Sequence, residues 1–294
     1  MTIGRVHLIW LALLGLISGC ASFTPAGSQG TDPLLSQEAR ENFAGATWRS
    51  DWETSLRPGR VTVDVEPSRV RSGSSSIRLH TEPGDCGFNA DRSWNDCNVG
   101  NERVGIASTS TVSGQTFYAL SVMLSSNMSE HAAQPRYMNS DINLFQWYQL
   151  DSGACFNLQY NTRSQNLNID VRCPNGVYDH EGGRQNRVNL GGQVFDVWHE
   201  FVVYANWTTD NRGTFRVLHN GALVMDHNGP TLARSGRREV NEAAFIYRYG
   251  SQSAPASRFW PTPSTVWFDD IIRSTNLDEI EKRYRFDRVR LGAN

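Results

Sequence analysis

Short runs in which apolar and polar residues alternate, each closed by Gly, Asn, Asp or Pro, fill the chain from about Glu41 to Ser274. A side-chain period of two belongs to β-strands, and almost no 3.6-residue period is present, so the body reads as all-β. Examples are Arg60 to Val65, Ser75 to His80, Phe117 to Val122, Phe201 to Tyr204 and Thr265 to Ile271. Phe215–His219 and Ala222–Met225 are joined by Asn220-Gly221, a dipeptide that tolerates the positive φ angles of a tight hairpin turn. So many strands fit one two-sheet sandwich of roughly 230 residues. Only Leu277 to Phe286 has a helical pattern, within a short charged tail over 277–294.

Alternation also sorts side chains by face. Burying Phe145 and Trp147 turns Gln146 and Tyr148 outward. In the next two runs, matching apolar positions pairs Phe156 with Val171, Leu158 with Ile169 and Tyr160 with Leu167. That register presents Asn157, Gln159, Asn161, Asn166, Asn168, Asp170 and Arg172 together on the other face. Ile77 and Leu79 inward leave Arg78 and His80 outward, and Ile246 inward turns Tyr247 and Tyr249 out. Amides, arginines and tyrosines in such a surface can hydrogen-bond hydroxyls, stack on sugar rings and pair with carboxylates. A merely solvated sheet face is the plain alternative.

The N-terminus has a separate purpose. Arg5 precedes the apolar run Leu8 to Ile17, a pattern of export signals that is too short to span a bilayer. Ile17-Ser18-Gly19-Cys20 resembles a bacterial lipobox, which implies removal of residues 1–19 and a lipid on Cys20. Ala21 in place of aspartate points to the outer membrane by resemblance to bacterial sorting rules. Residues 20–40, rich in Ser, Gly, Pro and Thr, read as a tether. In an exported chain the four remaining cysteines, Cys86, Cys97, Cys155 and Cys173, are expected in disulfides. Proximity favours Cys86 with Cys97 and Cys155 with Cys173, among three possible pairings. No C-x-x-C pair is present to support zinc.

With 28 basic and 30 acidic residues the formal charge is −2, which supplies no basic excess for a phosphate backbone and excludes a general nucleic-acid partner. Phosphate-cradling glycine loops and H-E-x-x-H are absent. A monomer held to a membrane only through its lipid is the expected state.

From about Gly73 to Ile271 the chain resembles the jelly-roll polysaccharide lyases of the glucuronan lyase and heparin-lyase-I-like group. The elements that carry the resemblance are Gly73 to Leu79, Asn101-Glu102-Arg103, Asn143 to Gln149, Trp198 to Val203 with Trp207, Val217 to Gly221, Ile246-Tyr247-Arg248 and Trp267 to Ile271. The resemblance implies a β-jelly-roll domain over 41–276 and β-elimination on an acidic, uronate-containing polysaccharide. In that reaction the carboxylate beside C5 is neutralised, a base removes the C5 proton, and an acid protonates the departing 4-oxygen, leaving a 4,5-double bond. Gln146 and Arg103 fit charge neutralisation, His80 the base and Tyr247 the acid, with Tyr148 a substitute in either role. Such lyases often carry histidine where this chain has Tyr148, which leaves the base open. Arg78, Asn157, Gln159, Asn168, Arg172, Arg248 and Tyr249 are the expected substrate contacts. His199 and His219 read as structural. No cofactor or metal is required, although Asp269 and Asp270 could bind calcium.

Two other readings use the same sandwich. A lectin-like module would bind the polysaccharide without chemistry. A glycoside hydrolase would need two carboxylates flanking the bond, and no such pair falls on a strand here.

Overall fold

The computed structural model describes residues 52–55, 60–87, 96–108, 110–133, 140–172, 186–250 and 259–292. Contacts divide the chain into two units, 1–32 and 33–294, and all described residues belong to the second. The expected signal over 1–19, Cys20 and the tether over 20–40 lie outside the described residues, as do Cys173 and the side chain of Cys97. Cys86 and Cys155 are both disulfide-bonded.

Among the described residues fourteen strands, numbered in chain order, form two sheets of seven. The first runs β1 (Trp52–Ser55), β4 (Glu102–Ser108), β13 (Val240–Arg248), β6 (Asp141–Gln149), β7 (Gly153–Asn161), β8 (Asn166–Val171) and β9 (Asn186–Asn189). The second runs β12 (Ala222–Asn228), β11 (Thr214–His219), β10 (His199–Trp207), β5 (Gly114–Leu124), β14 (Ser264–Ser274), β3 (Ser76–Thr81) and β2 (Val61–Asp64). Neighbours within each sheet are antiparallel.

The sheets are held face to face by their apolar sides. Ile142, Trp147, Phe156, Leu158, Ile169 and Ile246 from the first meet Leu79, Tyr118, Leu120, Phe201, Phe215 and Phe268 from the second in one core. Phe156 stacks on Phe215 with ring centroids 3.7 Å apart, joining the two sheets directly. The register of β7 with β8 pairs Phe156, Leu158 and Tyr160 with Val171, Ile169 and Leu167, as the apolar pattern requires. Asn220 and Gly221 turn the β11–β12 hairpin with φ of 49° and 79°, the doubly positive geometry that Asn-Gly accommodates.

The tail is shorter in helix than its sequence suggests, with α1 over Leu277–Glu281 and α2 over Arg288–Leu291. It is anchored rather than free. Leu277, Ile280, Tyr284 and Leu291 pack on Ala119, Val202, Leu218 and Ile272, covering part of the outer face of the second sheet. The outer face of the first sheet carries the amides instead.

Candidate functional site

Strand register lines the polar residues of the first sheet into rows. Arg103 on β4 is opposite Tyr247 on β13, which is opposite Asn143 on β6, then Gln159 on β7, Asn168 on β8 and Asn189 on β9. The next row holds Ala243, Gln146, Asn157, Asp170 and Arg187. Irregularities in pairing at Ala244/Tyr247 on β13 and Asn143/Phe145 on β6 let the two rows lie adjacent on β7 while more residues separate them on β6 and β13. An extra residue of this kind re-aims side chains. It puts both Asn143 and Gln146 on the outer face, although they are three apart. Simple alternation counted from Phe145 misses Asn143 for that reason.

Tyr247 and Tyr249 are side by side with ring centroids 4.7 Å apart. The Arg103 guanidinium lies 4.0 Å from the Tyr247 ring and pairs with Asp96 at 3.0 Å. The Tyr247 hydroxyl accepts from Asn101 Nδ2 at 2.7 Å. Burial raises the Tyr247 phenol above its ordinary pKa, against the pull of Arg103, so the hydroxyl holds its proton near neutrality. The Tyr249 oxygen is approached from the other side. Asn143 Nδ2 donates to it at 3.0 Å, and Gln159 Nε2 fixes the Asn143 amide by donating to its Oδ1 at 2.6 Å. Arg172 Nε also donates to Asp170 at 2.5 Å. Arg187, on a strand the sequence pattern does not reveal, makes a two-pronged contact to Asp141 at 3.1 and 2.7 Å.

Several expected site residues are placed elsewhere. His80 and Arg78 are on β3 of the second sheet, so His80 does not share a face with Gln146 and Tyr247. The His80 ring bonds Thr265 Oγ1 and Glu82 Oε1, each at 2.8 Å. Their outward orientation was legible from alternation, but which sheet receives β3 depends on long-range pairing. Arg248 points into the sandwich, because Ile246 and Arg248 share a face on β13. It forms a fully buried pair with Glu102 at 2.6 Å and donates to Thr262 O at 2.7 Å. Tyr148 shares the outer face but sits opposite Asn241, five residues along β6 from the Tyr247 row, a separation of about 16 Å. That is too far to exchange protons with a sugar held at Tyr247. Asn157, Gln159 and Asn168 are on the expected face yet buried, and both amide atoms of Asn157 lack hydrogen-bond partners.

His199 and His219 bond each other at 3.0 Å, with His199 Nε2 on Val194 O. The Asp269 and Asp270 carboxylates accept from Arg71 and Ser72: Asp269 from both backbone N–H groups, Asp270 from Ser72 Oγ at 2.6 Å and Arg71 Nη1 at 2.5 Å. Among the described residues no cluster of three or more His, Cys, Asp or Glu is arranged to hold a metal.

The chain is similar in structure to the endo-β-1,4-glucuronan lyase of the fungus Trichoderma reesei, with 16% identity, a TM-score of 0.53, and coverage of 78% of this chain and 93% of that one. The alginate lyase Aly36B shares 11% identity, with a TM-score of 0.47 over 75% of this chain and 86% of the other. The cellulose-induced protein Cip1 shares 17%, with a TM-score of 0.45 over 80% and 96%. At such identities the likeness to the glucuronan lyase establishes the fold, a β-jelly roll. No curated protein matches the chain. Residues 41–272 match the polysaccharide lyases, which takes in both sheets almost completely, and the chain belongs to that family.

Proposed function

We propose that the protein cleaves a uronic-acid polysaccharide by β-elimination on the outer face of the first sheet, leaving 4,5-unsaturated uronate ends. The observation that carries this reading is the Tyr247–Tyr249 pair, with rings 4.7 Å apart, the Arg103 guanidinium 4.0 Å from the Tyr247 ring and Asn143 donating to the Tyr249 oxygen. Arg103 and Gln146 offer donors to the substrate carboxylate, where negative charge grows as the C5 proton leaves. Tyr249, whose oxygen accepts from Asn143, takes the C5 proton in its phenolate form and becomes the neutral phenol, a role expected of His80 from sequence; proton exchange with water afterwards returns both tyrosines to their starting forms. The C5 electron pair becomes the C4=C5 bond, the C4–O4 bond breaks, and Tyr247 gives its proton to the departing oxygen. No step needs a cofactor.

The likeness to a glucuronan lyase favours testing glucuronan first. Incubation with a panel of polyuronates should produce the ultraviolet absorbance of the unsaturated product on at least one. Reducing ends without absorbance would mean hydrolysis, and binding without either would mean a lectin-like module.

The export reading completes the proposal: a monomer tethered by lipidated Cys20 to the outer membrane, with Cys86–Cys97 and Cys155–Cys173 disulfides. Cys20→Ser should release active protein from the membrane fraction. Retention there would refute the anchor.

A further inference from the structure

We infer that the Tyr148 end of this face is a distal subsite for the polysaccharide chain, with Tyr148 as a stacking platform and Arg234 and Arg238 as its anionic contacts; this rests on the proposed function. Tyr148 is 38% exposed, a rare state for a large aromatic in this protein. Its cross-strand neighbours on the same face are short, Ala154 on β7 and Asn241 on β13. Trp147 and Gln149 on either side are buried, so the backbone that carries the ring is fixed.

Charge gathers at the same end. The connection from β12 to β13 is tied to the end of β6: Gln149 Nε2 donates to Ala233 O and Arg237 O, and Leu150 N donates to Glu239 O. Arg234, Arg237 and Arg238 are all exposed there. Arg237 pairs with Asp151 at 2.9 Å and approaches Glu239 at 3.8 Å, which accounts for the local carboxylates. No hydrogen bond or ion pair is made by the Arg234 and Arg238 side chains among the described residues. An exposed phenol ring at the strand end to which a loop with two exposed guanidinium groups is tied matches a sugar chain that carries carboxylates. At about 16 Å from the Tyr247 row, only a substrate several sugars long reaches both places.

The test uses Tyr148→Ala, Tyr148→Phe and the double variant Arg234→Gln/Arg238→Gln, in the full chain. Absorbance of the unsaturated product is followed on the cleaved polyuronate and on its short oligomers, and polymer binding is measured separately in a Tyr247→Phe background that stops turnover. Tyr148→Ala and the double variant should raise KM for polymer on the order of tenfold, with kcat unchanged and oligomer kinetics unaffected. Tyr148→Phe should behave as wild type, since stacking needs the ring and proton transfer needs the hydroxyl. Loss of turnover in Tyr148→Phe, or an unchanged polymer KM in both other variants, would overturn the inference. If no polyuronate yields absorbance, the proposed chemistry fails; weaker polymer binding in Tyr148→Ala and the double variant would still uphold the subsite, and unchanged binding would end it.

Discussion

Arg248→Met separates two places for that guanidinium. Were Arg248 on the substrate face, the variant would keep its fold and bind polymer less well. Inside the sandwich, the change removes the partner of Glu102, whose carboxylate retains only the Gly84 and Trp260 N–H groups at 2.6 and 3.4 Å. It also strips donors from Thr262 O and Glu82 O. Breaking a buried ion pair of this kind costs about 3–5 kcal/mol. The loss should also depend on pH. Burial, opposed by Arg248, raises Glu102 from an ordinary 4.5 to about 7 in the folded protein. A carboxyl raised on folding contributes stability when protonated and loses it as pH climbs from about 4.5 to about 7. Without Arg248 the folded pKa goes higher still, so the loss continues above pH 7 at about 1.4 kcal/mol per pH unit relative to wild type. Urea unfolding at about pH 8 and about pH 5 would show a large deficit at the first and a smaller one at the second. A variant within about 0.5 kcal/mol of wild type at both, with a raised polymer KM, would refute the inward placement of Arg248.

Asn157→Leu should leave urea stability unchanged or raise it by about 1 kcal/mol, because a buried amide with no partners is replaced by a side chain that needs none; a marked loss would mean that the amide is satisfied. His219 is depressed to about 4 by burial and by neighbouring His199, so its contribution is present above its unfolded value near 6.5 and is lost as pH falls towards about 4. His219→Gln should therefore flatten the decline of Tm with acid over that window, and a profile parallel to wild type would contradict this.

The sandwich was legible because each strand carries a local signal. Alternation set the inward residues of β3, β6, β7 and β8, and Asn220-Gly221 marked its hairpin. The site was less legible, since it depends on which strands become neighbours. Arg78 and His80 point outward as their pattern requires, but from the second sheet, a pairing decided by β14 and β2 far away in sequence. Arg248 was misplaced by grouping it with Tyr247 and Tyr249, although strict alternation puts it with Ile246. Asn143 was hidden by a bulge, and Arg187 by a strand of four residues with little apolar content. Tyr247, Arg103 and Gln146 share the outer face of one sheet because they lie on strands whose faces and sheet are both fixed by large buried neighbours.

The most direct measurement is product absorbance on polyuronates for wild type and Tyr247→Phe. The account predicts absorbance with the wild type and a fall in kcat of about a hundredfold or more in the variant, with polymer binding and Tm retained. A Tyr247→Phe protein that turns over at the wild-type rate would contradict it.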